Sequence, residues 1–128
     1  MNLQETHVLT AGKTALLLAA ASIAASANET GVAIAPARGQ AAAVLSVGAA
    51  TAGTLPTFDF KLQSSDDGTT YTDIPGAVAS QVTTVASTQL IPFTPGAVGK
   101  YIRAVVTIGG TASPAFPASA VLVYFPTV

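Results

Sequence analysis

From Thr57 to Gln63 apolar and polar residues alternate, with Phe58, Phe60 and Leu62 on one side of an extended chain and Asp59, Lys61 and Gln63 on the other. Successive side chains of a strand point to opposite faces, so the pattern predicts a half-buried β-strand. It runs into Ser65-Asp66-Asp67-Gly68 and re-emerges as the β-prone Thr69 to Ile74. Glycine tolerates positive φ and aspartate hydrogen-bonds the nearby backbone, so the two runs form a hairpin. Tyr71 shares a face with Asp73, and Ile74 shares one with Thr70 and Thr72, which leaves the inner face of the second strand open.

The same period recurs along the chain. Lys100 to Ile108 places Ile102, Ala104, Val106 and Ile108 on a core face and Tyr101, Arg103, Val105 and Thr107 on the other. In Gln40 to Val47 neither face is polar: Ala43, Leu45 and Val47 oppose Ala42, Val44 and Ser46. A strand apolar on both sides belongs at a sheet centre or a subunit contact. Val78 to Val85, Gln89 to Phe93 and Ala120 to Phe125 are further strand candidates. Gly109-Gly110 stops one strand, and Thr111 to Ala118, carrying Pro114 and Pro117, reads as a long loop.

The run Thr14 to Ala25 has the composition of a helix, with Leu16, Ala20, Ile23 and Ala27 along one helical face. The turn signal Asn28-Glu29-Thr30-Gly31 and the short β-like Val32-Ala33-Ile34 after it instead favour a strand and its hairpin return. The run is too short to cross a bilayer as a helix. Ala25-Ser26-Ala27 resembles a secretory cleavage site, but Glu5 and Lys13 precede the run in place of a positive cluster, so a signal peptide is disfavoured. Residues 1–13 carry no repeated pattern and read as an N-terminal arm, ordered by whatever binds it. Residues 14–128 read as one domain, an all-β sandwich or jelly roll of about eight short strands with turns every eight to twelve residues or so.

Charge changes the picture. Charged residues are 9 % of the chain, the apolar share is 50 % and the formal net charge is −1. An ordinary soluble domain carries about 25 % charged residues. Little electrostatic repulsion keeps copies apart, which favours burial of the outer surface by other subunits. Five lysines and arginines spread over 128 residues do not make the basic stripe that neutralises phosphates, so no nucleic-acid partner is expected, and no membrane partner either. Without cysteine there is no disulfide or thiolate metal site.

Catalytic constellations are sparse, and the chain is not expected to be an enzyme or to carry a cofactor. His7 is the only histidine, with no second imidazole for a transition metal. Asp66, Asp67 and Asp73 lack the EF-hand spacing, and turn chemistry accounts for them. Asp59 and Asp73 act as an acid–base pair only if the fold sets them across a cleft. Gly109-Gly110 lacks the spacing and the Lys-Ser/Thr ending of a phosphate loop. Arg103 lies on the face opposite the core; a cross-strand ion pair with a carboxylate such as Asp59 accounts for it, and so does a subunit contact. The candidate contact residues are therefore Glu5, His7 and Lys13 of the arm, and Arg103.

Leu45-Ser46-Val47-Gly48-Ala49 and Pro56-Thr57-Phe58-Asp59-Phe60-Lys61-Leu62-Gln63-Ser64-Ser65-Asp66-Asp67-Gly68 resemble the small capsid decoration, or cement, proteins of tailed bacteriophages. Tyr101-Ile102-Arg103-Ala104-Val105-Val106-Thr107 and Ser113-Pro114-Ala115-Phe116-Pro117-Ala118-Ser119-Ala120 fit the same pattern. The likeness covers roughly the last two-thirds of the chain, Val44 to Tyr124. It implies a β-sandwich or jelly-roll virion protein on the outer surface of an expanded head, commonly a homotrimer, whose partner is the major capsid protein. No active site comes with it. A tail or head-fibre component and a carbohydrate-binding adhesion module are the alternatives that the same fold class admits.

Overall fold

The architecture follows from one long strand that has neighbours on both sides along most of its length. The computed structural model describes residues 13–34, 37–94 and 99–126. Eight strands are found among them: β1 (Lys13–Ile23), β2 (Ala27–Asn28), β3 (Val32–Ala33), β4 (Ala37–Val47), β5 (Ala52–Ser65), β6 (Thr72–Val78), β7 (Ser87–Phe93) and β8 (Tyr101–Pro126). β8 is 26 residues long. On one edge it pairs antiparallel with β5 and then β4; on the other it pairs with β3, β2 and then β1. Two stretches of chain, 13–34 and 37–65, thus each run back along the length of β8. β6 adds to the free edge of β5 and β7 to that of β4.

A ribbon this long folds onto itself. The half of β8 before the bend lies in one sheet with β2, β3, β5 and β6; the half after it lies in another with β1, β4 and β7. β6 and β7 approach each other, so the sheet is nearly closed into a barrel. The all-β expectation holds, with one hydrophobic core between the two halves. Phe58 and Phe116 meet there edge to face, ring centroids 5.5 Å apart. The alternation in the sequence identifies the core correctly: Phe58, Phe60 and Leu62, Ala43, Leu45 and Val47, and Ile102, Ala104 and Val106 are all buried.

The bend explains the main departure from expectation. Thr111 to Ala118 is not a loop but the middle of β8, whose ladder with β5 shifts register between Ala52 and Thr57. Pro114 and Pro117 lack an N–H, yet this segment is held through its carbonyls: Thr51 N–H donates to Ala115 at 2.9 Å and Gly48 N–H to Pro117 at 2.7 Å. The turn in direction comes from left-handed backbone on both strands: Gly53 and Leu55 on β5, and Gly110, Ala112 and Ser113 on β8. Leu55 is also 85 % exposed.

Three further expectations are corrected. Val32 to Ile34 is not the return strand of a hairpin, because β2 and β3 both pair with β8, end to end along its edge. Glu29 N–H bonds to the Ala104 carbonyl and Ile34 N–H to that of Lys100, so β8 offers both segments the ladder partner that a local hairpin would have offered. β6 runs through Pro75-Gly76 to Val78 by way of a bulge opposite Lys61 to Gln63, with Ile74 and Ala77 inward. Val78 to Val85 is not a strand; Val82 makes one bridge to Phe58. The strand over Thr14 to Ala25 is found, as β1, and Ser26 Oγ accepts from Ile108 N–H where β1 gives way to β2.

The predicted hairpin between β5 and β6 is present, and its turn is built from side chains. Ser65 Oγ accepts from the N–H groups of Asp67 and Gly68 and donates to Asp67 Oδ1. Asp67 Oδ1 in turn accepts from the N–H groups of Thr69 and Thr70, each at 2.9 Å. Gly68 supplies the positive φ, +79°. The Asp67 carboxyl is held well below the usual carboxylate range, chiefly by the Thr70 and Thr69 N–H groups and then by the Ser65 hydroxyl.

The bend and the turn each lend themselves to a direct test. A Cβ at Gly110, φ +109°, would stand 2.7 Å from the Leu55 carbonyl and 2.9 Å from that of Thr54, whereas one at Gly68 meets Tyr101 at an ordinary 3.6 Å. Gly68→Ala therefore carries only the left-handed penalty of about 1–2 kcal/mol, a Tm loss of roughly 3–8 °C for a domain of this size. Gly110→Ala also forces the two strands apart, and its Tm loss is expected to be at least about twice as large. Thermal denaturation of the two variants side by side decides; equal losses would mean that the close approach of β5 and β8 is not needed. For Asp67 the depressed folded-state pKa means that its contribution is complete above the unfolded value of about 3.9 and is lost as pH falls through the folded value. Asp67→Asn should lower Tm at neutral pH, and its gap to the parent chain should narrow on acidification below about pH 4. A gap independent of pH would show that the charge does not stabilise the turn.

Candidate functional site

Alternation along β5 and β8 puts the polar residues of both strands on the outer face of the first sheet, and the register decides which of them meet. Gln63 lies opposite Arg103 on β8 and opposite Asp73 on β6, so one row crosses three strands as Asp73, Gln63, Arg103. The Gln63 amide works in both directions: Nε2 donates to Asp73 Oδ1 at 2.8 Å, and Oε1 accepts from Arg103 Nε at 2.9 Å. Lys61 Nζ reaches the same Asp73 carboxylate at 3.0 Å. On the far side the Arg103 guanidinium stacks 4.0 Å above the Tyr71 ring. Five side chains thus form one connected polar cluster, from Lys61 through Asp73, Gln63 and Arg103 to Tyr71.

The electrostatics of this cluster favour holding over reacting. Asp73 is kept below the usual carboxylate range first by the Gln63 amide and then by Lys61, so it stays ionised with both oxygens engaged. A general acid needs the opposite environment, one that raises the pKa towards the working pH. Asp59 lies opposite Thr107 and accepts from Gln81 Nε2 at 3.1 Å through each oxygen. The suggested ion pair between Arg103 and Asp59 is therefore not formed, because the register sets Gln63 beside the guanidinium. Among the described residues no group of three or more metal-binding side chains converges.

Of the candidate contact residues, Glu5 and His7 lie outside the described residues. Lys13 is the first residue of β1, exposed, and paired with Tyr124 in the second sheet. Arg103 is half-buried in the first sheet. No strand row brings these two together. Sequence reasoning singled out Arg103 and missed the residues that hold it. Gln63 is recognisable only once β5 and β8 are set in register, and Tyr71 only once β6 is set beside β5.

The second sheet presents a different outer face. Leu16, Val121, Val44 and Leu90 follow one another across β1, β8, β4 and β7 as a single row. Leu16 is 59 % and Leu90 67 % exposed. Thr14, Val123, Ala42 and Pro92 make the next row, and Ser119, Ser46 and Thr88 the one on the other side. These three rows contain no charged residue. Ser46 and Ser119 of this last row, with Ala20, Gly48 and Pro117 beside them, line a shallow, open groove.

No protein-family model matches this chain, and no curated protein matches it. Among solved structures it is similar to the SPBc2 prophage-derived protein YomS, with a TM-score of 0.50 and 13 % identity over 88 % of this chain and 92 % of that one. Lower scores, 0.49 and 0.47 at 12 % identity, relate it to the infectious bursal disease virus Gx strain structure and to the VP2 subviral particle of that virus. This chain spans 31 % and 32 % of the length of those two chains. At such identities the likeness is one of fold.

Proposed function

We propose that this chain is a structural virion protein: a decoration, or cement, protein that binds the outer surface of the expanded head of a tailed bacteriophage and stabilises it by bridging capsomers of the major capsid protein. The observation that carries this reading is the adjacency of the stretches in which the resemblance lies. Phe58 to Gln63 pairs residue by residue with Arg103 to Ile108, so both stretches build the central ladder of the first sheet. Similarity of fold to a prophage-derived protein over most of both chains is in keeping with it. The polar cluster adds a chemical reason, because an ionised, fully engaged Asp73 and a stacked Arg103 suit a rigid contact surface better than turnover.

The mechanism is mechanical. Each copy adds modest contacts between neighbouring capsomers, and internal pressure must break many of them together, so the shell gains more than any one interface supplies. Residues 1–12, which precede β1, would reach a neighbouring subunit and add the contacts of Glu5 and His7 to those of the folded domain.

Co-sedimentation with expanded heads that lack the protein tests the reading. Saturable binding at the order of hundreds of copies per particle is expected, and a chain lacking residues 1–12 should bind about tenfold more weakly. If the protein stays in the supernatant as a stable oligomer, the reading fails, and a tail, fibre or glycan-binding role takes its place. If truncation leaves binding unchanged, the arm has no part in it.

A further inference from the structure

Among the described residues no further strand packs on the outer face of the second sheet, and its properties point to a particular occupant. Its core-facing side is already complete, with Leu45, Leu122 and Phe116 fully buried. Yet its outward row, Leu16, Val121, Val44 and Leu90, is apolar across all four strands. The first sheet, in contrast, carries Asp59, Lys61, Asp73 and Arg103. This separation leaves one face that water solvates well and one that it solvates poorly.

We infer that the outer face of the second sheet is where copies of this chain meet. Three observations select a second copy as the occupant. First, the face complements itself. The row through Val44 and Val121 is a ridge, and two residues further along the same strands Ser46 and Ser119 line the groove, about 7 Å away at strand spacing. A two-fold axis running across the strands between ridge and groove sets the ridge of each copy over the groove of the other, an isologous contact that gives a dimer in place of the homotrimer implied by the resemblance. The groove walls are Ala, Ser, Gly and Pro, short enough for Leu and Val side chains to enter.

Second, the electrostatics allow it. With no charge on the three rows and a formal net charge of −1 for the whole chain, two identical faces meet without like-charge repulsion. A partner recognised by charge has nothing to pair with there. Third, the size is adequate. Four strands spaced about 4.8 Å apart give a face roughly 19 Å wide. The length is about 24 Å along the 7-residue β7 and about 37 Å along the 11-residue β1 and β4. The flat area, roughly 450–700 Å², spans the value of about 600 Å² per partner at the lower bound of stable interfaces. Two such faces would pack as aligned sheets about 10 Å apart.

The test is the oligomeric state of the full chain, by sedimentation velocity and light scattering across a concentration series. The expected result is a dimer of twice the 12.7 kDa chain mass, and a trimer would overturn the two-fold contact. Leu90→Asp and Leu16→Asp alter exposed side chains, so both variants should keep the parent far-ultraviolet circular dichroism. Each should raise the dissociation constant at least about a hundredfold, because symmetry buries the new charge twice. Val78→Asp, at an equally exposed position on β6, should leave the assembly intact. A parent chain that remains a monomer at every concentration overturns the inference. So does an oligomer that both Asp variants leave intact, or one dissolved instead by Leu55→Asp at the bend.

Discussion

The structure depends on satisfying both edges of β8. A strand of 26 residues exposes donors and acceptors on two sides, and leaving them unpaired in the interior costs more than any single side-chain contact returns. The chain solves this by running 13–34 along one edge and 37–65 along the other. The inner faces of that long ribbon are buried only if the ribbon bends. Bending places Leu55, Ala112 and Ser113 in left-handed backbone, at about 1–2 kcal/mol each. Against this stands the single core that the bend closes between the two halves, where nine large side chains are fully buried. The Phe58–Phe116 contact joins the two halves across it.

Where local pattern and tertiary demand agree, the sequence is readable. The alternations Phe58-Phe60-Leu62, Ile102-Ala104-Val106 and Ala43-Leu45-Val47 name the core, and Ser65-Asp66-Asp67-Gly68 names its turn with the chemistry that builds it. Legibility ends where a segment's hydrogen bonds are made at a distance. Pro114 and Pro117 signal a loop because they cannot donate, but the structure uses the carbonyls of Ala115 and Pro117, which no local signal reports. Asn28 to Gly31 signals a hairpin, yet the edge of β8 was the better partner, some seventy residues away. The site behaves likewise. Arg103 stood out as a cation on a polar strand face, while its partners Gln63 and Tyr71 were set by register, and one residue of slip would have paired it otherwise.

The low charge of the chain takes on a definite form in three dimensions. Few charges are present, and those of the first sheet are largely bound to one another or to amides: Lys61 to Asp73, Arg103 to Gln63, Asp59 to Gln81. Exposed ion pairs of this kind add little to stability, usually below about 1 kcal/mol. They do fix side chains that would otherwise be mobile, and a surface already ordered loses less entropy when a partner covers it.

That division bears on how such a chain would strengthen a shell. An interface strong enough to act alone would have to displace water from a large apolar face, and a protein exposing several such faces would aggregate before reaching its target. Here the apolar rows are confined to the second sheet and the ordered polar row to the first. If copies associate through one face as inferred above, the other is left free to engage a second, more polar surface. Each contact then stays individually modest, and the strength of the whole rises with the number of copies joined.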